Sequence, residues 1–118
     1  MEKVKFIHLE NADDIIISLS CDEDSTFGVD GFIIQRNPKF EHLFPPEERG
    51  AIVEWEDDDI IVLLDRVFLN RKELKIITRG KVREYKFDLA EITDDEYRDL
   101  VNQFEVINFD KSIKIEVS

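Results

Sequence analysis

The chain has 118 residues, of which 42% are hydrophobic and 37% are charged. This length suits one packed core, because two cores would leave each half near the size at which folding alone is marginal. The 28 acidic and 16 basic side chains give a net charge of −12, so nucleic acid and anionic membrane surfaces would repel the chain, whereas a basic protein would not. We therefore expect a single domain over residues 1–118, with no nucleic acid and no membrane among its partners.

Short apolar segments bounded by turn-forming residues predict a series of β-strands up to residue 89. Residues 82–89, the last of these segments, have the clearest pattern, because their side chains sort onto two faces with a period of two. The sequence between residues 37 and 50 is irregular, and Pro45–Pro46 favours an extended backbone. The predicted strands cover residues 4–9, 15–19, 31–36, 51–56, 60–64 with 67–69, 74–78 and 82–89.

A helical repeat follows these strands. Apolar residues recur with helical spacing from Tyr97 to Phe104, and Thr93 with Glu96 forms a capping box. We expect Leu100 and Phe104 to be buried against the sheet, and residues 112–117 to form a last strand. The elements predict an α+β fold, a curved antiparallel β-sheet of about seven strands with one C-terminal amphipathic helix packed on one face.

The residues that catalytic and metal sites need are scattered. His8 and His42 lie far apart in the sequence, and Cys21 stands among acidic residues that disfavour a thiolate. The segment 22–27 superficially resembles a calcium loop, but it has Phe27 where the sharp turn requires glycine. Four glycines in the chain form no phosphate-binding loop. We therefore expect a protein that is not an enzyme and that uses no metal and no cofactor.

Three features of the sequence indicate the cellular compartment. The lone Cys21 allows no intramolecular disulfide and is compatible with a reducing compartment. The longest apolar runs have the length of strands and fall short of the ~20 residues that span a bilayer. The residues after Met1 do not form the apolar stretch of a signal peptide. The sequence thus predicts a cytoplasmic protein.

The charge is unevenly distributed along the chain. Residues 1–60 contain 16 acidic and 5 basic side chains, while residues 61–118 contain 12 and 11. Eight of the basic side chains fall between residues 66 and 86. We interpret this basic stretch as solvated strand faces that pair in part with acidic residues, and a role in binding a partner stays open.

Two acidic clusters, residues 22–24 and Glu54 with residues 56–59, are not explained by helix capping. Like charges packed this densely repel each other and lower the stability of the fold. Trp55 lies beside the second cluster, and aromatic anchors ringed by charge are typical of protein interfaces. The alternative interpretation is that Trp55 belongs to the core and the aspartates form a solvated turn. We predict a docking face for a cationic protein that consists of Asp22, Glu23, Asp24, Glu54, Trp55, Glu56, Asp57, Asp58 and Asp59.

Three segments ahead of the predicted helix follow one another in a characteristic order. Residues 31–36 form an aliphatic strand that ends in Gln-Arg, residues 47–55 place a valine-acid strand after a glycine, and residues 66–76 form a strand–turn–strand unit. Over about residues 30–107 this order resembles the immunity protein ten family of bacterial polymorphic toxin systems. The resemblance implies a small, mostly β protein that inhibits a cognate toxin in the cytoplasm without a cofactor. It assigns no binding residue.

The sequence therefore predicts an immunity protein that binds and inhibits a cognate toxin domain through its acidic surface. A toxin that acts on nucleic acid needs a cationic surface, which such a face would complement. Two other classes of function stay open. One is a structural or adaptor β-domain that assembles through an edge strand, including as a homodimer. The other is a module that binds a small ligand or a peptide between the sheet and the helix.

Overall fold

The computed structural model describes residues 2–20, 31–46, 49–54, 62–80 and 82–118. These ranges form an α+β fold in which a largely antiparallel sheet carries one helix, as the sequence predicts. The elements in chain order are β1 (Glu2–Lys3), β2 (Phe6–Asn11), β3 (Ile15–Ser20), β4 (Gly31–Arg36), a 3-10 helix (Glu41–Leu43), β5 (Ile52–Glu54), β6 (Val62–Leu69), β7 (Glu73–Arg79), β8 (Glu84–Asp88), α1 (Asp94–Ile107) and β9 (Lys114–Val117).

The N-terminal segment belongs to both ends of the sheet. The strand order is β1-β8-β7-β6-β5-β4-β3-β2, and β9 joins β6 beside β5. β1 pairs in parallel with β8 and β2 pairs antiparallel with β3, with only two residues between β1 and β2. Across this junction Val4 N–H donates to Asp88 C=O at 2.9 Å, and Lys5 N–H donates to Ser20 C=O at 2.8 Å. The two ends of the sheet therefore meet, and the sheet has to curl.

The concave inner face of the curled sheet contains the core. Alternate residues of β3, namely Ile15, Ile17 and Leu19, are buried, and the paired residues of β4 continue the same face. The Phe32 ring on β4 lies 5.0 Å from Tyr85 and 4.9 Å from Phe87 on β8, both in edge-to-face geometry. β4 and β8 are four strands apart in the sheet order, so these contacts show how far the sheet bends.

Helix α1 packs on the β2–β3 hairpin. Leu100 and Phe104 are fully buried, as predicted, and the capping box between Thr93 and Glu96 is present. The helix is also fixed by Gln103, whose Nε2 donates to the carbonyl oxygens of Glu10 at 2.8 Å and Ile16 at 3.1 Å. Buried polar groups of this kind need partners, so Gln103 fixes the position of the helix along the hairpin.

Several details differ from the sequence prediction. Residues 62–69 form one strand, because the charged interruption is accommodated by an irregularity between Leu64 and Arg66. A 3-10 helix lies within the segment that was expected to be irregular. The last strand pairs in parallel with β6, and β1 pairs in parallel with β8, so the sheet is not purely antiparallel. Among the described residues, no helix is long and apolar enough to cross a membrane.

Substitution of Phe104 by alanine should lower the free energy of unfolding by about 3–5 kcal/mol, because it opens a cavity between helix and sheet. Thr93→Ala should cost about 1 kcal/mol through loss of the cap. Val106, which is 41% exposed on the same helix, provides the control, and Val106→Ala should change stability by less than about 1 kcal/mol. Urea denaturation measures all three, and equal midpoints for Phe104→Ala and Val106→Ala would contradict the packing.

Candidate protein-binding face

The convex outer face of β2–β6 carries an apolar patch. The antiparallel register places Ile16, Gln35, Ile52 and Leu63 side by side across β3, β4, β5 and β6. In the neighbouring row, Ile33 of β4 lies between Ser18 and Glu54. Directly opposed side chains in such a sheet have Cβ atoms about 5 Å apart, so they form one continuous surface. We call Ile16, Ile33, Ile52 and Leu63 the outer patch.

The outer patch is unusual because the opposite face of the same strands is already apolar. Ile17, Ile34 and Val53 are buried on the inner face, while the four residues of the outer patch are half-buried. An antiparallel sheet with one solvated face normally alternates apolar with polar residues, and apolar side chains on both faces are typical of a sheet covered on both sides. Apolar side chains grouped on an outer sheet face, here around Gln35, make this surface a candidate for contact with another molecule.

Carboxylates flank the outer patch on two sides. Glu10 of β2 is paired in register with Ile16, and Glu54 of β5 is paired with Ile33. The imidazole Nε2 of His8 lies 2.8 Å from Glu10 Oε1. β2 and β5 are separated by three strand spacings, about 14 Å. A partner that covers the patch would therefore meet two separated carboxylates with apolar side chains between them.

Arg79 of β7 ends the patch on the side opposite Glu10, where it is paired in register with Leu63. Its Nη2 donates to the carbonyl oxygen of Arg49 at 2.7 Å, so this cation is held against the backbone of the protein itself. The guanidinium of Arg79 also leaves little room for a side chain at Gly50, because a Cβ added there would lie 3.0 Å from Nη2. Gly50 also has φ +152°, so both space and backbone conformation favour glycine.

The other half of the outer face, on β6–β8, is charged and paired internally. Lys75 and Lys86 lie 3.6 Å and 3.4 Å from the Glu84 carboxylate, and Lys75 also lies 5.4 Å from the centre of the Phe68 ring. Arg71 reaches Asp94 at 2.7 Å and donates to two carbonyl oxygens near the start of α1. Several basic residues between positions 66 and 86 thus form ion pairs or hydrogen bonds within the protein, which agrees with the interpretation that part of this stretch pairs with acidic residues.

A buried ion cluster closes the inner face at the end of β4. Arg36, only 2% exposed, donates to the carboxylates of Glu41 and Asp110. It also donates to the Ile107 carbonyl at the end of α1, at 2.9 Å, and lies 4.1 Å from the centre of the Phe109 ring. One side chain therefore joins β4, the 3-10 helix and the end of α1.

The contact between Arg36 and Asp110 favours the charged form of both side chains. Burial alone would lower the pKa of Arg36, but hydrogen bonds with Asp110 and Glu41 outweigh burial and raise it. The hydrogen bond from Arg36 holds the pKa of Asp110 well below its usual range, against the opposite effect of burial. Removing Asp110 is destabilising, because the buried cation of Arg36 then has Glu41 as its remaining carboxylate partner in the cluster.

Of the residues predicted to form the docking face, only Glu54 can be placed. It is half-buried on the outer face at the end of β5, beside Ile33. The other eight lie outside the described residues: Asp22, Glu23, Asp24, Trp55, Glu56, Asp57, Asp58 and Asp59. The outer patch was missed by the sequence reasoning. Its signal is the uninterrupted apolar runs at Ile15–Ile17 and Ile33–Ile34, which leave an apolar side chain on both faces of a strand.

Comparison with protein-family models, curated proteins and solved structures finds no match to this chain. Within the ranges that the structure describes, no group of three or more histidine, cysteine, aspartate or glutamate side chains is arranged to hold a metal ion.

The Arg36–Asp110 pair predicts a specific dependence of stability on pH. The pKa of Asp110 is lower in the folded chain than in the unfolded chain, where it is near 3.8. The pair therefore stabilises the fold at pH values above about 3.8, and this stabilisation is lost as the pH falls below that value. Asp110→Asn should therefore lower stability at pH 7, and the difference from the natural chain should shrink as the pH is lowered below about 4.

Denaturant titrations between pH 7 and pH 3 measure this difference. Asp99→Asn provides the control, since Asp99 is an exposed helix residue that does not take part in the Arg36 cluster. A stability difference for Asp110→Asn that stays the same down to pH 3 would show that the pair does not account for it.

Proposed function

We propose that this chain is an immunity protein: a cytoplasmic inhibitor that binds a cognate toxin domain of a bacterial polymorphic toxin system. The toxin would dock on the outer patch between Glu10 and Glu54. The observation that carries the proposal is this patch, because it combines apolar side chains with carboxylates on the outer face of the sheet. The resemblance of residues 30–107 to an immunity protein family supports the same conclusion.

The distribution of cations supports an electrostatic role for the surface. Arg36 is neutralised inside the protein, Arg71 is held by Asp94 and backbone carbonyls, and Lys5 lies 2.5 Å from Glu91. These internal pairs balance charge locally and leave the overall surplus of −12 unchanged. A surface with this surplus attracts a cationic protein and speeds its encounter, while the apolar patch supplies affinity once the two are in contact.

Inhibition would be steric and electrostatic. A toxin that acts on nucleic acid binds phosphates with lysine and arginine side chains, and these are the groups that carboxylates such as Glu10 and Glu54 would pair with. Covering that surface prevents the toxin from binding its substrate. The mechanism needs no catalytic residue, metal or cofactor in the immunity protein, because it depends on apolar contact, shape and charge.

The test begins with the gene next to the one that encodes this chain. The C-terminal domain of a large toxin encoded upstream is expressed in a bacterial host with and without the chain, and the affinity of the purified pair is measured by calorimetry. We expect the chain to restore growth and to bind the toxin domain with one-to-one stoichiometry. A toxin domain that kills equally well in the presence of the chain would contradict the proposal.

Ile33→Lys tests the proposed face. A lysine at this position of the patch would oppose a cationic partner and remove apolar contact, so it should weaken binding by about 2 kcal/mol or more, roughly 30-fold in Kd. The matched control is Ile77→Lys, because Ile77 is also half-buried on the outer face but lies in the charged half, between Arg66 and Glu84. Equal loss of affinity in both variants would argue against the outer patch.

A further inference from the structure

Strand β9 has an edge that is not used within the described parts of the chain. It pairs with β6 in parallel from Lys114 to Val117, and β6 is its sole partner there. β5 occupies the same side of β6 but pairs only as far as Leu63, so β9 takes over where β5 ends. An unpaired strand edge presents N–H and C=O groups that can pair with another chain.

The hydrogen-bond pattern identifies which groups face this edge. Ser118 N–H donates to Leu69 C=O at 2.9 Å, so the backbone groups of residues 114, 116 and 118 point toward β6. Those of Ile113, Ile115 and Val117 point the other way. The Asn108 side chain already occupies the groups of Ile113, donating to its C=O at 2.9 Å and accepting from its N–H at 3.0 Å. The outward groups of Ile115 and Val117 remain for another strand.

The charges of β9 are complementary to those of a second copy in one antiparallel register. If the two strands cross at Ile115, each Ile115 exchanges two backbone hydrogen bonds with its counterpart, and Lys114 of each copy lies opposite Glu116 of the other. A crossing at residue 114 would place the two lysines opposite each other, and a crossing at residue 116 would place the two glutamates opposite each other. Both of those registers juxtapose like charges, so the charge pattern selects Ile115.

An apolar groove and exposed apolar side chains occur in the part of the chain that contains β9. A groove of about 600 Å³ lies between the last turn of α1 and β9. Six of the eight large apolar side chains that the described chain exposes lie in two segments, 40–44 and 106–117. Arg36 holds these segments together through Glu41 and Asp110. The groove is lined by Glu105, Asn108, Lys111, Ile113, Ile115 and Val117.

We propose that two copies of this chain associate through β9, which pairs antiparallel with β9 of the second copy about a two-fold axis at Ile115. The interface uses a strand edge and the groove beside it, so it is distinct from the outer patch and does not depend on the proposed function. Asn108 limits the new ladder to residues near Ile115, and the two copies repel each other because each carries a charge of −12, so the dimer is weak. Salt screens this repulsion, and at physiological ionic strength, where the Debye length is about 8 Å, the dimer forms.

The test is sedimentation velocity of the purified chain at ~0.15 M salt over a range of concentrations up to ~1 mM. Lys114→Glu replaces two attractive pairs by two repulsive ones and should raise the dimer dissociation constant about tenfold or more. Glu116→Lys should do the same. The double variant Lys114→Glu with Glu116→Lys restores both pairs and should return the dissociation constant to within about threefold of the natural chain.

Lys72→Glu is the matched control, because it changes net charge as Lys114→Glu does at an exposed residue outside both the proposed ladder and the groove. All these side chains are exposed, so the fold tolerates the changes, and circular dichroism verifies this for each variant. Three outcomes would overturn the proposal. They are a monomer at every concentration, equal weakening by Lys72→Glu and Lys114→Glu, and a double variant that is no better than the single ones.

Discussion

The pairing of one short N-terminal segment with both ends of the sheet determines the rest of the architecture. β1 and β2 are separated only by Val4 and Lys5, yet they pair with β8 and β3, the strands next to the two ends. This brings the sheet round on itself and makes its inner face a closed core, in which Phe32 contacts rings from four strands away. With α1 covering the β2–β3 hairpin, the inner face is filled. Among the described strands, the outer face and the free edge of β9 stay accessible to a partner.

This arrangement separates stability from recognition. Arg36 is costly to bury, but its hydrogen bonds tie the end of α1 to β4, and the carboxylates of Glu41 and Asp110 neutralise its charge. On β6–β8 the exposed lysines are paired with Glu84. The apolar outer patch lacks such a structural explanation, since its residues lie on the face opposite the core. The proposed binding of a toxin domain would account for it.

The local features of this fold could be predicted from the sequence, and the long-range ones could not. The boundaries of β4 and the capping box at Thr93 depend on neighbouring residues, so periodicity and capping chemistry suffice for them. The parallel pairings of β1 and β9 bring together residues far apart in the chain, and the short strands carry no signal for them. The same holds for Arg36, since one of its carboxylates, Asp110, lies 74 positions away. Glu54 was predicted for the docking face by its charge, whereas Ile33 beside it was assigned only to a strand.

The most direct test of the outer patch uses the isoleucine methyl groups that the structure distributes over both faces. Methyl NMR spectra of the chain, recorded with and without the toxin domain encoded by the neighbouring gene, report which of these groups meet the partner. The account predicts that the signals of Ile16, Ile33 and Ile52 shift or broaden on binding, while buried Ile76 and outward Ile77 change little. Binding that leaves Ile16, Ile33 and Ile52 unchanged and perturbs Ile77 instead would contradict it.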